Sequence, residues 1–399
     1  MTELLRLTAE QRKLIFTNAG FQAGLLANVV EKDWWVTLVL KAVFRTEYAP
    51  HLLFKGGTSL SKCWKLISRF SEDIDLAIDR DYLDFGGAIS NSKIHELKKA
   101  ACAFTSFQLK DAVEKQLLEL GVPEGLLTIT HSPIKPELPD KDPQELQIEY
   151  PSLFEPVEYI SNVMKVEVSG LSLKEPFSAC LIQSVVGEQY PGYPFAGEPF
   201  EVSAVDPKRT FLEKIFLLHE EFQRKEKMRA HRMSRHLYDL ERVMDTLPGW
   251  DALKDIALYV TVIEHRKKFY KLSGVDYETH HPDTILFIPP AMILKEYDQD
   301  YAVMRTQMIQ GNPPGFEELI RRLEELTERL RSPVHFANRT IEEVIDAARL
   351  KDPKDSTSPN FMIEGATVTI PVDFDDFRYS VVFTRINAEL VAKAVRIIK

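Results

Sequence analysis

Residues 54–78 read FKGGTSLSKCWKLISRFSEDIDLAI, and the fold turns on them. Two glycines close the short apolar run HLLFK (51–55) and open a helical pattern, and Asp73 and Asp75 then sit one residue apart in a second apolar run. Side chains alternate along a strand, so Asp73 and Asp75 share one face while Ile74, Leu76 and Ile78 share the other. Same-face neighbours stand about 6 to 7 Å apart at Cα, which lets two carboxylates hold one hard cation or bridge two. Acids on the wet face of an edge strand give the same pattern, so D-x-D by itself decides nothing. Asp79 shares the face but lies two steps further on, outside such a site.

Gly56 and Gly57 sharpen the reading. A strand followed by Gly-Gly and a helix start leaves backbone N–H groups and the positive end of the helix dipole for an anion, and the Thr58 and Ser59 hydroxyls could add hydrogen bonds. Gly-Gly is also an inexpensive tight turn. The stretch matches neither G-x-x-x-x-G-K-S/T nor G-x-G-x-x-G, so a phosphate here would need another architecture.

The chain has 399 residues, 44% hydrophobic and 28% charged, which predicts a soluble core with appended modules. A net charge of −10 argues against non-specific coating of nucleic acid, while leaving room for a local basic groove. Cys63, Cys102 and Cys180 are far apart in sequence and show no C-x-x-C spacing. Neither a zinc framework nor a disulfide scaffold is expected, which fits a reducing cytosol. The opening MTELLRLTAEQRK carries charges where a signal peptide needs an apolar core, and no run approaches the roughly 18 to 20 apolar residues of a membrane span. A cytoplasmic protein with no membrane partner is expected.

The pattern is helical from Thr8 to Phe44, with breaks at Gly20 and Gly24, and VEKDWWVTLVLKAVF (30–44) is apolar enough for an interior helix. TSLSKCWKLI reads as a helix, and a helical period returns from Lys93 to Leu120. NVMKVEVSGL (162–171) and FEVSAV (200–205) alternate as strands. Asp206 and Pro207 then supply an N-cap and first-turn pair for a helix to about Phe222. Helices dominate to Leu330. The remainder suggests a helix near Ile341 to Leu350, two strands (ATVTIPV and RYSVVFT) and a closing helix. Three segments follow: a core over 1–240 with an insert at about 84–150, a helical domain over 241–331, and a small α/β accessory module over 332–399.

Strand, glycine turn, helix, then D-x-D in an apolar strand is the core pattern of polymerase-beta-like nucleotidyltransferases. Within that group KGGTSLSK with RFSEDIDL closely resembles the AbiEii/AbiGii family of abortive-infection toxins, and VEKDWWVTLVL looks like its N-terminal helix. Downstream, PKRTFLEKIFLLHE and RHLYDL resemble its third and fourth motifs. The resemblance runs from about Val30 to Leu240, and more weakly to Leu330. It implies an α+β fold with a mixed sheet, flanking helices and a helical C-terminal half. It also implies transfer of a nucleoside monophosphate from a nucleoside triphosphate to an acceptor hydroxyl, with magnesium (manganese as alternative). The implied acceptor is RNA, with the tRNA 3′ end first choice, and the implied partner a separately encoded antitoxin used against phage.

Residue by residue, the resemblance puts Asp73 and Asp75 on the metal, Gly57, Thr58 and Ser59 (with Gly56 beside them) on the triphosphate, and Lys214 near the nucleotide phosphates. It makes Asp239 a required acid. Spacing agrees in part: Thr210 and Lys214 share a helix face opposite Phe211, Ile215 and Leu218. A solvated lysine fits the same spacing, and Asp239 four residues after Arg235 could be a surface ion pair. A third carboxylate often completes a two-metal site, and Glu167 is the candidate, unless it is merely the outward member of its strand with Lys165.

Between Pro207 and His236 nine Lys or Arg face four Glu, densest in RKEKMRAHRMSRH, so Arg229, Arg232 and Arg235 are candidate RNA contacts. Arg224 with His231 and Arg229 with His236 also match the loose spacing of metal-independent HEPN ribonucleases. A haloacid-type phosphatase would want Thr or Val where Ala77 stands. A catalytically silent nucleotide-binding protein would have lost an essential side chain, and none is missing.

Overall fold

The computed structural model describes residues 1–134, 141–155, 162–224, 228–331, 345–346, 348–349, 362–364, 367–374, 377–386 and 389–397. These fall into two compact units: Met1–Asp206 with His265–Lys271 and Ala302–Pro313, and Pro207–Glu264 with Leu272–Tyr301 and Pro314–Lys399. The division differs from the three segments expected. It falls before the basic segment rather than at 240, and residues 332–399 cluster with the second unit.

In the first unit α1 (Ala9–Ala23) starts with a Thr8–Gln11 capping box and stops at Gly24, φ +67°. Gly20 does not break it as the sequence suggested. A methyl there would lie 2.6 Å from the Leu25 carbonyl oxygen, so Gly20 serves close backbone approach. Helix α2 (Ala27–Val43) is buried along nearly its whole length, as its apolar run requires. Strand β1 (Leu52–Lys55) leads into α3 (Gly56–Lys62), shorter than the run to Ile67 implied, and then β2 (Ile74–Ile78).

The segment read as an insert is part of the core. Helices α4 (Asn91–Ala103) and α5 (Lys110–Glu119) join through a π-helical turn over Phe104–Leu109, and β3 (Thr128–His131) and β4 (Gln144–Glu149) extend the sheet. After β5 (Val163–Ser169), β6 (Phe177–Ile182), α6 (Val185–Gln189) and β7 (Phe200–Val205), the seven strands order as β3-β4-β5-β2-β1-β7-β6. The sheet is mixed: β2 runs parallel to β5 and β1 to β7, and the other neighbours are antiparallel. Leu52, Phe54, Ile74, Leu76, Leu146, Met164, Val166 and Val168 bury one face against Trp34, Trp35 and Leu38 of α2. The fold is α+β, as expected.

The second unit holds α7 (Pro207–Phe222), α8 (Ser234–Val243) and α9 (Leu247–Lys254), parts of α10 (Ile256–Phe269) and α11 (Leu294–Gln307), and α12 (Phe316–Arg331). A four-stranded sheet follows, β8 (Met362–Glu364), β9 (Thr367–Phe374), β10 (Phe377–Ile386) and β11 (Glu389–Ile397). The closing segment is therefore a strand, not a helix. Its spacing allowed either, and pairing along the length of β10 decides the matter. Of the helix expected near Ile341 to Leu350, the described residues 345–346 and 348–349 are helical, and the loop KDPKDSTSPN lies outside the described residues.

Trp250 of α9 ties this sheet to the helices. It packs with Val368, Ile370, Val381, Phe383 and Val395, donates to the Val395 carbonyl at 3.0 Å, and lies under the Arg329 guanidinium. Trp250→Ala is expected to cost about 3–5 kcal/mol, measured by urea denaturation with CD detection. A loss under about 1 kcal/mol would mean the strands hold without this anchor.

Candidate functional site

Burial along β2 follows the alternation read from the sequence: Ile74, Leu76 and Ile78 are buried, while Asp73, just before the strand, and Asp75 are half-buried on the other face. At one level of the sheet Lys55 of β1 pairs in register with Asp75, Asp75 with Glu167 of β5, and Glu167 with Glu145 of β4. Glu167 thus joins the aspartates. It is also on the non-core face of β5, so the two alternatives for it describe one orientation.

Burial and the charges of Asp75 and Asp73 push the Glu167 carboxyl up to about 7. Lys55 works against them but does not restore the ordinary value. This set of hard oxygen donors carries a surplus of negative charge that a divalent cation would relieve, so its chemistry fits magnesium. The carboxylates face one another across two strands rather than converging on a point. Among the described residues no three His, Cys, Asp or Glu side chains are gathered into a ligand cluster.

The glycine turn meets this row directly. Gly56 has φ +78°, and a methyl there would lie 2.1 Å from Asp75 Oδ2. Only glycine permits both the backbone angle and the carboxylate lying over it. At Gly57 a methyl would lie 2.5 Å from Arg69 Nη2 and 3.0 Å from Ser71 Oγ. The two glycines therefore bring an acid and a cation against one turn.

Thr58 and Ser59 are placed differently from expectation. The Thr58 hydroxyl donates to the Asp73 carbonyl at 2.5 Å and lies 2.8 Å from Ser71 Oγ, while Ser59 Oγ donates to the Gly56 carbonyl at 3.0 Å. Both side chains are buried and hold the turn together rather than facing outward.

Arg69 was not singled out in the sequence. It is buried, and Nη1 donates to the Phe70 carbonyl. Its backbone bridges to Ile309, flanked by Phe70 N–H to Met308 O and Gln310 N–H to Ser68 O. A partner segment so distant along the chain leaves no local signal. The EKD of VEKDWW does similar work. Lys32 pairs with Glu72 at 2.5 Å, Asp33 with Lys62 at 2.5 Å, and Glu31 accepts from Ser152 and the Leu153 N–H. These pairs brace the approach to the aspartates and the end of α3.

In the second unit Lys214 and Asp239 form a buried pair, Nζ to Oδ2 2.9 Å, with His236 Nδ1 3.4 Å from the same Nζ. Lys214 is therefore not a solvated lysine and Asp239 does not lie at the surface: the third and fourth motifs meet each other. Arg224 and Arg229 both bind Glu221, at 3.1 and 2.8 Å. Arg229 is exposed, while Arg232 and Arg235 are half-buried. Lys225, Glu226 and Lys227 of the basic cluster lie outside the described residues. Asp79 pairs with Lys174 at 2.6 Å, apart from the carboxylate row.

A glycine turn abutting carboxylates on neighbouring strands of a mixed sheet is the arrangement of a nucleotidyltransferase. The family model for the nucleotidyl transferase AbiEii toxin of type IV toxin–antitoxin systems matches residues 38–329, and the chain belongs to that family. It is thus a nucleotidyltransferase toxin whose system includes a separate antitoxin. No curated protein matches the chain. No helix among the described residues is long and apolar enough to cross a membrane.

Two predictions follow from this geometry. Gly56→Ala should lose roughly 1–3 kcal/mol in urea denaturation and displace Asp75. Gly24→Ala, at φ +67° with open space around it, should carry the backbone strain alone. Equal cost and equal activity in the two variants would remove the steric argument. Because Glu167 has a raised folded value, its contribution to stability is full below about pH 4.5 and is lost as pH rises through about 7. Without added divalent cation, Glu167→Gln should therefore exceed the parent by up to roughly 3 kcal/mol above pH 7, with the difference vanishing in acid. Thermal melts across that range decide it, and parallel curves would mean that Glu167 does not feel the aspartates.

Proposed function

We propose that the protein transfers a nucleoside monophosphate from a nucleoside triphosphate to an acceptor hydroxyl on RNA, with the tRNA 3′ end the leading candidate. The observation that carries this reading is Asp75 lying over Gly56, because it sets a cation-binding carboxylate against an anion-binding turn.

Asp73, Asp75 and Glu167 would hold a divalent cation, magnesium or manganese, which when bound neutralises phosphate charge and makes a coordinated hydroxyl more acidic. The turn at Gly56 and Gly57 offers backbone groups to the triphosphate, and Thr58 and Ser59 fix its shape. Arg69 adds positive charge at the same turn. Lys214, paired with Asp239, is assigned by the family resemblance to the nucleotide phosphates, where it would offset charge on the departing pyrophosphate. Arg229, Arg232 and Arg235 are assigned to the RNA backbone. The ribonuclease alternative draws less support: both arginines it needs are bound to Glu221, and His236 contacts Lys214.

The test supplies each α-labelled nucleoside triphosphate with magnesium and total cellular RNA. Label should move onto RNA, and Asp73→Ala and Lys214→Ala should each lower the rate by about a hundredfold or more while CD spectra stay native. RNA cleavage without nucleotide that survives Asp73→Ala but is lost in His231→Ala or His236→Ala would transfer the case to the ribonuclease. Label on the protein itself would keep the transferase and replace the acceptor.

A further inference from the structure

Cys63 and Cys180 are far apart in sequence, yet the fold brings their side chains together. Cys63 caps the C-terminal end of α3, the helix that begins at the glycine turn. Cys180 lies on the edge strand β6, in register with Val202 of β7. Trp64, next to Cys63, donates its indole N–H to the Val205 carbonyl of β7 at 3.1 Å, which draws the end of α3 to this edge. Both cysteines pack as half-buried residues against the same apolar core, and their thiols are close enough that each shifts the other. Cys102 is buried.

We propose that Cys63 and Cys180 form an oxidisable dithiol site, closed to an intramolecular disulfide by a hydroperoxide, that clamps α3 to the sheet edge. It stands independently of the nucleotidyl-transfer reading. Cys180 is half-buried on an edge strand, with the exposed Ala179 and Leu181 beside it. The contact with Cys63 lowers the Cys180 thiol, and the same contact together with burial raises that of Cys63, so thiolate character favours Cys180. The Cys180 thiolate attacks one peroxide oxygen; the O–O bond breaks, leaving Cys180 sulfenic acid, and the departing hydroxide takes up a proton to become water. Cys63 sulfur then attacks the sulfenyl sulfur; S–S forms, S–O breaks, and the leaving hydroxide takes the Cys63 proton as a second water. Two thiols lose two electrons and one peroxide is reduced to two waters.

The test treats the reduced full-length protein with hydrogen peroxide, blocks remaining thiols with iodoacetamide and maps peptides without reductant. The expected result is one linkage, Cys63 to Cys180, that dithiothreitol reverses, with Cys102 outside it. Cys63→Ser should leave a sulfenic acid on Cys180 that dimedone traps, while Cys180→Ser should slow oxidation at Cys63 by about tenfold or more. Because both variants keep a side chain of similar size, folding is checked by their melts, and the parent's peptide map alone decides the linkage. The proposal is overturned if both thiols remain alkylatable in the parent, if the linkage involves Cys102 or a second chain, or if Cys180 proceeds to sulfinic acid without joining Cys63.

Discussion

Three consecutive ionisable residues, Glu31, Lys32 and Asp33, are buried in the central helix, and much of the first unit is arranged to satisfy them. Burying a charge without a partner costs several kcal/mol, so each has drawn a separate segment inward. Lys32 holds Glu72, immediately before Asp73. Asp33 takes Lys62 from α3 and the Val185 N–H at the start of α6, and Lys62 also donates to Thr37. Glu31 holds the loop at Ser152 and Leu153, and burial raises its carboxyl despite those bonds. The helix therefore positions both the strand bearing the aspartates and the helix bearing the turn, from the side opposite their chemistry.

That division of faces explains the electrostatics. On the core side of the sheet the charges are paired and the rest is apolar. On the other side Asp75, Glu167 and Glu145 stand in register across adjacent strands, with Lys55 the cation at the end of the row. Glu145 has company of its own: hydrogen bonding from Gln147 and the charge of Lys165 outweigh its burial and hold its carboxyl below the usual value. At Glu167 the charge of Lys55 does not offset burial and the two aspartates, and the carboxyl rises. Neighbouring acids in one row thus divide into a settled anion and a proton-loving one.

Legibility in the sequence followed the range of the interaction. The alternation of Asp73 and Asp75 and the need for glycine at 56 are local, and both were readable. Lys214 and Asp239 were each identifiable by motif, but their pairing was not, because spacing along a helix suggested Arg235 instead. Arg69 gave no signal, since its place depends on backbone contacts with residues near 309. Cys63 and Cys180 looked unrelated, because the sheet order β1-β7-β6 that brings them together is a tertiary fact. The closing strand was misread for the same reason: its residues tolerate either state, and β10 supplied the edge that chose between them.

In the proposed reaction, the Lys214–Asp239 pair also bears on why an acid would stand beside a lysine assigned to phosphates. A buried lysine without a counter-charge tends to shed its proton, and a neutral amine is a poor partner for phosphate. Asp239, fully buried, stands 2.9 Å from the lysine nitrogen and fixes its direction. The same contact offsets part of the lysine's charge, so a single phosphate gains little by approaching it. A polyphosphate that brings several charges and its own cation competes better, and in the proposed reaction so does a leaving pyrophosphate whose charge grows as the bond breaks. In the proposed reaction, pairing the lysine with an acid would trade ground-state affinity for a response that strengthens as charge develops, which is where an interaction contributes to rate rather than to binding alone.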